Sequence, residues 1–172
     1  MRENTQQKNE KVFTIKYIVA LCLCAMLTFL ISKYVVGLAV VVGDSMQPTM
    51  DSGDITVVNK LPKNYDRFDI VIVDSGSSKI IKRIVGCPGD TIHIRDGFVY
   101  INDKVLEDVV YAKTEFAGIA YEPIKLRDGE YFVLGDNRPN SKDSRFDEIG
   151  IVNKSQIDGR VIFSLLPLAT VQ

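Results

Sequence analysis

From Tyr17 to Ser32 every residue is apolar, or small and uncharged, and Lys16 and Lys33 bracket the run. No other stretch of this 172-residue chain approaches the length needed to cross a bilayer. The uncharged run is slightly shorter than the ~20 residues of a spanning helix. Snorkelling lysine stems, with Phe13–Ile15 and Tyr34–Val36 on either side, extend the apolar surface enough to cross. Arg2, Lys8, Lys11 and Lys16 precede the run and only Lys33 closely follows it, so the charge rule places the N-terminus in the cytoplasm and the remainder outside. A cleaved leader is the competing reading. A cut after Ala39 would start the mature chain at the doorstep of Ser45 and split Leu38–Val42, which reads as a strand, and this favours an uncleaved anchor.

Beyond the anchor, roughly 130 residues remain, enough for a real hydrophobic core. Twenty-one basic and 22 acidic side chains give a net charge of −1 with no block of one sign, which argues against nucleic acid as a partner. Cys22 and Cys24 lie in the apolar run and Cys87 lies far from them, so no disulfide framework or metal site is indicated. Neither CxxC nor HExxH occurs, metal catalysis has no support, and no cofactor is expected.

The apolar pattern of the body is short and β-like. Leu38–Val42, Ile55–Val58, Asp69–Val73 and Lys79–Val85 are rich in Val and Ile and bounded by turn residues. Thr91–Arg95 and Phe98–Ile101 alternate around Asp96-Gly97, a strong hairpin signal, and Asn102-Asp103-Lys104 predicts a second turn. Tyr131–Leu134 and Val161–Leu165 read as returning strands, and Glu107–Asp128 as a loop-rich stretch. The predicted fold is mainly β: an N-terminal transmembrane helix, then an antiparallel sheet carrying an inserted ribbon. The expected divisions are a tail at 1–12, an anchor at 13–36, a core at 37–90 and 130–172, and the insertion at 91–129.

Three motifs carry candidate chemistry: Gly43-Asp44-Ser45-Met46-Gln47-Pro48-Thr49; Lys82-Arg83-Ile84-Val85-Gly86-Cys87-Pro88-Gly89-Asp90; and Gly135-Asp136-Asn137-Arg138-Pro139-Asn140-Ser141-Lys142-Asp143-Ser144-Arg145. Gly43 and Pro48 suggest a sharp exit from a strand that presents Ser45. Alone, Ser45 reads as a turn serine and Lys82 as a strand-edge charge. The chain has one histidine, His93, the rival base, set between isoleucines in the alternating hairpin on its presumed polar face, so a serine nucleophile has little choice of conventional base and a lysine is the obvious substitute. Lys82 has Ile80, Ile81, Ile84 and Val85 around it. Burial disfavours its ammonium form, and a base should titrate at about 7–8 rather than near ~10.4. Arg83 stays charged and cannot serve. Arg83 and Arg145 read instead as structural cations for Asp136 and Asp143. Ser141 is placed to hydrogen-bond the Lys82 amine and aim it, Asp44 reads as a turn residue, and Cys87 as a packed strand-end residue.

The three motifs, in this order behind an anchor, resemble the type I signal peptidases of the small single-anchor bacterial kind, from the anchor to about Val161. The resemblance implies Ser45 as nucleophile, Lys82 as general base, Ser141 as the orienting hydroxyl, and Asp143 and Arg145 in support. It also implies cleavage of secreted preproteins with small residues at positions −1 and −3, bound as an added strand, with the bilayer and the secretion translocon as further partners. Val41, Val42, Gly43, Met46, Met50, Ile80 and Ile81 flank the two catalytic positions and are the candidate pocket lining. The family often places a hydroxyl two residues before the nucleophile to share the oxyanion; here that position is Gly43, so the second donor is open. A glycine expected soon after Arg145 is delayed to Gly150, which predicts a longer loop. The Ser/Lys pattern also resembles self-cleaving repressor-type peptidases, against which the anchor counts. A membrane-anchored binding domain without catalysis is the third reading.

Overall fold

The computed structural model describes residues 2–62, 64–107, 113–166 and 168–170. It divides into two compact units, Met1–Val36 and Gly37–Gln172. The first is a helix, α1 (Arg2–Tyr34). Its apolar portion, Ile15–Tyr34, has a mean hydropathy of 2.2 over 20 residues, about 30 Å of helix and enough for a hydrocarbon core. Leu21, Leu23, Met26, Leu27 and Phe29 are all exposed, so apolar side chains lie on every side of this helix. The Thr28 hydroxyl donates to the Cys24 carbonyl 2.9 Å away, hiding the polar atom within the helix.

The second unit is built from antiparallel strands. In chain order they are β1 (Val36–Val40), β2 (Ile55–Asn59), β3 (Ile70–Asp74), β4 (Lys79–Gly86), β5 (Thr91–Arg95), β6 (Phe98–Ile101), β7 (Lys104–Val105), β8 (Ile124–Lys125), β9 (Glu130–Leu134), β10 (Val152–Asn153), β11 (Ile157–Leu166) and β12 (Leu168–Thr170). The larger sheet runs β1-β2-β11-β3-β4-β9-β10, with β12 paired to β11; the smaller runs β7-β6-β5-β8.

The continuous Val/Ile runs of the larger sheet follow from burial on both faces. On β9, Phe132 and Leu134 enter one core with Ile92, Ile94, Val99 and Ile101 of the smaller sheet, while Tyr131 and Val133 enter another with Val71, Val73 and Ile84. A third core gathers Val41, Met46, Met50, Val58, Ile70, Ile72 and Val161. The hairpin strands alternate because only one of their faces is covered. Both of their turns have positive φ at the two central residues, Asp96 (54°) and Gly97 (81°), then Asn102 (51°) and Asp103 (65°). That is the conformation whose twist suits a two-residue connection.

The strand bounds differ from the sequence reading where pattern and pairing diverge. The first strand begins at Val36, one residue beyond the end of the helix, and ends at Val40; Val41 and Val42 lie outside the strand, on the segment leading to Ser45. The last long strand begins at Ile157, because Ile157, Gly159 and Arg160 pair with β3 although their apolar pattern is broken. Bulges at Val161/Phe163 and Ser164/Leu166 accommodate its pairing with β2. The segment read as loop contains a 3₁₀ turn at Gly118–Tyr121 and the short strand β8, while residues 108–112 of it lie outside the described residues.

Candidate active site

The end of β1 and the start of β4 face each other across an open cleft of about 480 Å³. Its lining includes Val40–Met46 on one side and Lys79–Lys82 on the other, with Asn140 and Lys142 at the rim. Ser45 sits in the turn after Gly43, whose φ of 86° is cheap only for glycine. Lys82 comes from the centre of the sheet, where β4 pairs with β3 through Lys82 opposite Val71.

The Lys82 Nζ lies 2.7 Å from Ser45 Oγ and donates a second bond, 2.9 Å long, to the Ile81 carbonyl. The lysine is only 3% exposed. Burial lowers its pKa from 10.5 to about 8; Asp143 and Asp136 push the other way, and Arg145 adds to the lowering. Each carboxylate is neutralised by its own guanidinium. Arg83 grips Asp136 through Nε–Oδ1 (2.9 Å) and Nη2–Oδ2 (2.7 Å). Arg145 grips Asp143 through Nε–Oδ1 (2.7 Å) and Nη2–Oδ2 (2.9 Å). All four side chains are buried, so the forked geometry and further backbone bonds must offset their desolvation.

Ser141 differs from its expected part. Its hydroxyl donates to Asp143 Oδ2 at 2.7 Å, and the amine of Lys82 is held by Ser45 and the Ile81 carbonyl. Asp143 Oδ2 also accepts from the Gly135 N–H at 3.0 Å, so Ser141 and Asp143 brace the turn beside Ser45. Among the expected lining residues, Val41, Val42, Gly43, Met46, Ile80 and Ile81 border the cleft. Met50 does not: at 1% exposure it belongs to the third core, because the turn after Pro48 carries it inward. His93 lies on the smaller sheet and lines a separate hollow with Arg95, Thr114, Glu115 and Tyr121. Asp44 is an exposed turn residue. Burial raises the Cys87 thiol to about 11, which keeps it protonated and unreactive at neutral pH. Gly150 ends a turn in which both its own N–H and that of Ile149 bond the Phe146 carbonyl.

Sequence reasoning passed over Thr49, Gly135 and Asn137. Thr49 Oγ1 donates to Asp136 Oδ2 at 2.5 Å, fastening the far end of the Ser45 turn to the Arg83–Asp136 pair. A side chain at Gly135 would strike Ser141 Oγ and come within 2.6 Å of the Ser45 carbonyl oxygen. Asn137 donates from its backbone N–H to the Ser45 carbonyl and from Nδ2 to the Asp44 carbonyl, both at 3.0 Å. All three lie inside the quoted motifs, but nothing in a motif says which neighbour each will meet.

The model of the family described as "Signal peptidase, peptidase S26" matches residues 14–166. Signal peptidase I S of Bacillus subtilis (strain 168) is 33% identical over 175 residues, covering 95% of this chain and 95% of its own length. Signal peptidase I T of the same strain is 34% identical over 179 residues, covering 96% and 91%. A crystal structure of a signal peptidase I from Enterococcus faecalis V583 aligns with a TM-score of 0.47 at 32% identity, over 57% of this chain and 97% of that one. With the family model spanning nearly the whole chain and relatives a third identical from end to end, this protein belongs to the S26 signal peptidase family.

Proposed function

We propose that the protein is a membrane-anchored serine endopeptidase that removes signal peptides from preproteins, using Ser45 and Lys82. The observation that carries the dyad is the 2.7 Å contact between a buried, pKa-lowered amine and an alcohol at the edge of an open cleft. Neutral Lys82 takes the Ser45 proton as Oγ attacks the scissile carbonyl, whose electron pair moves onto oxygen. The Ser45 N–H faces that oxyanion. The Lys82 ammonium then protonates the departing amine, which is the new N-terminus of the mature chain. The signal peptide is left as an ester on Ser45, and water activated by Lys82 releases it.

The substrate runs extended through the cleft, with small residues at −1 and −3 against Val42, Met46, Ile80 and Ile81. The basic residues before α1 favour a cytoplasmic N-terminus and an extracytoplasmic body. A tether confines enzyme and membrane-held substrate to one surface and raises their effective concentration; delivery by the translocon fits that placement. The relatives disfavour an inactive scaffold or a repressor-type peptidase. The test is preprotein cleavage by the detergent-solubilised protein beside Ser45→Ala and Lys82→Ala. Both variants should be inert; cleavage by either at the parent rate would refute the dyad.

A further inference from the structure

We infer that the Asn137 side chain is a positioning residue that holds the Ser45 N–H in place for the oxyanion, an inference that rests on the dyad reading above. In a trans peptide the carbonyl of one residue and the N–H of the next point to opposite sides of one plane. The Asp44–Ser45 bond is trans, since the cis peptide bond of the described residues is Gln47–Pro48. Whatever fixes the Asp44 carbonyl therefore aims the Ser45 N–H. Two donors meet that carbonyl: the Gln47 N–H at 3.2 Å, which is the bond of the turn itself, and Asn137 Nδ2 at 3.0 Å. The Asn137 N–H takes the next carbonyl, that of Ser45, at 3.0 Å. One residue thus pins the peptide planes on both sides of the nucleophile. Among the described residues the Ser45 N–H meets no acceptor, which leaves it for a substrate oxygen.

The clamp is itself held. Asp136 is locked to Arg83 and Thr49, and the Asn137 carbonyl accepts the Asn140 N–H at 2.9 Å. With Gly43 offering no hydroxyl, the Ser45 amide carries more of the oxyanion charge, and its alignment matters correspondingly. Loss of the Asn137 side chain leaves the turn bond from Gln47 and the backbone bond to Ser45 intact, so the fold survives while the amide loses its aim.

The experiment compares the parent with Asn137→Ala and the near-isosteric Asn137→Asp, which presents no amide donor, in the full-length detergent-solubilised protein. Two probes separate the reacting state from simple binding. A peptide aldehyde ending in alaninal forms a hemiacetal on Ser45, with a new Oγ–C bond, the carbonyl pair moving to oxygen and the hydroxyl proton passing to Lys82. The corresponding peptide alcohol only occupies the cleft. Both variants should lose about tenfold to a hundredfold in kcat/KM, chiefly in kcat, the loss staying below that of deleting an oxyanion donor outright. Aldehyde affinity should fall by the same factor, while alcohol affinity and the thermal midpoint stay at parent values. Unchanged aldehyde affinity, an equal fall for aldehyde and alcohol, or a lowered thermal midpoint in both variants would overturn the clamp. Ser45→Ala, run in parallel, should not cleave and should bind aldehyde no better than alcohol. If it does either, the dyad fails and the clamp with it; if it behaves as expected beside unaltered Asn137 variants, only the clamp fails.

Discussion

Lys82 concentrates in one side chain the conflict between stability and chemistry. Its burial lowers the pKa to about 8, and the cleavage rate should therefore rise along an acid limb with a midpoint near 8 in a pH–rate profile. A midpoint close to the ordinary 10.5 would contradict the buried base. The same shift costs stability, on the order of 3 kcal/mol, because the unfolded chain holds this proton more tightly. The sign follows: the cost is complete below about pH 8 and fades as pH rises to 10.5, above which the amine is neutral in both states. Lys82→Met should abolish cleavage yet raise the unfolding free energy at pH 7 by about 1–3 kcal/mol, with the gain shrinking towards pH 10.5 in denaturant titrations. The buried Arg145–Asp143 pair behaves oppositely. Asp143→Ala strips the guanidinium of its carboxylate and should destabilise by about 3–5 kcal/mol in the same assay. The arginine–aspartate partnerships were legible from four complementary charges in linked motifs. The Ser141 partner was not, because a hydroxyl satisfies a carboxylate as readily as an amine and only placement decides between them.

At the level of elements, the site is the meeting of two turns and a strand that the sequence keeps far apart. The turn after β1 brings Ser45, β4 brings Lys82, and the turn after β9 brings Gly135, Asp136 and Asn137. Gly135 lets the last of these lie against the first. Gly135→Ala would press a methyl group onto the Ser45 carbonyl and Ser141, so it should cut kcat/KM at least about tenfold by shifting Ser45, a 1 Å error sufficing for more than that. The comparison is steady-state kinetics and the thermal midpoint beside the parent, and an unchanged kcat/KM would refute the close approach. The hairpin strands and their Asp96-Gly97 turn were readable because one covered face imposes alternation. The start of β11 was not, since Asp158 and Gly159 interrupt the apolar pattern and only pairing with β3 defines it as strand. Met50 was misassigned to the cleft for a related reason: proximity in sequence does not reveal which way a turn carries a side chain.

At the scale of the molecule, an apolar helix forms one unit, and among the described residues the β unit closes three apolar cores. Removal of residues 1–36 should leave a folded protease that cleaves a soluble peptide within about threefold of the parent. Cleavage of a preprotein held in vesicles should fall by about tenfold or more, since the tether supplies effective concentration rather than chemistry. Parallel assays on the two substrates check this, and equal losses on both would place part of the catalytic unit within the deleted segment. The sequence by itself determined the apolar helix, the antiparallel β class and the pairing of Ser45 and Lys82 as the proposed dyad, since composition, residue period and the order of three motifs are local properties of the chain. Only the tertiary structure decided what each polar group meets. The contact of Lys82 with Ser45, the clasp of Arg83 on Asp136, and the grip of Asn137 on the peptides around Ser45 join segments far apart in the chain, fixed when the cores close and buried polar atoms must find partners.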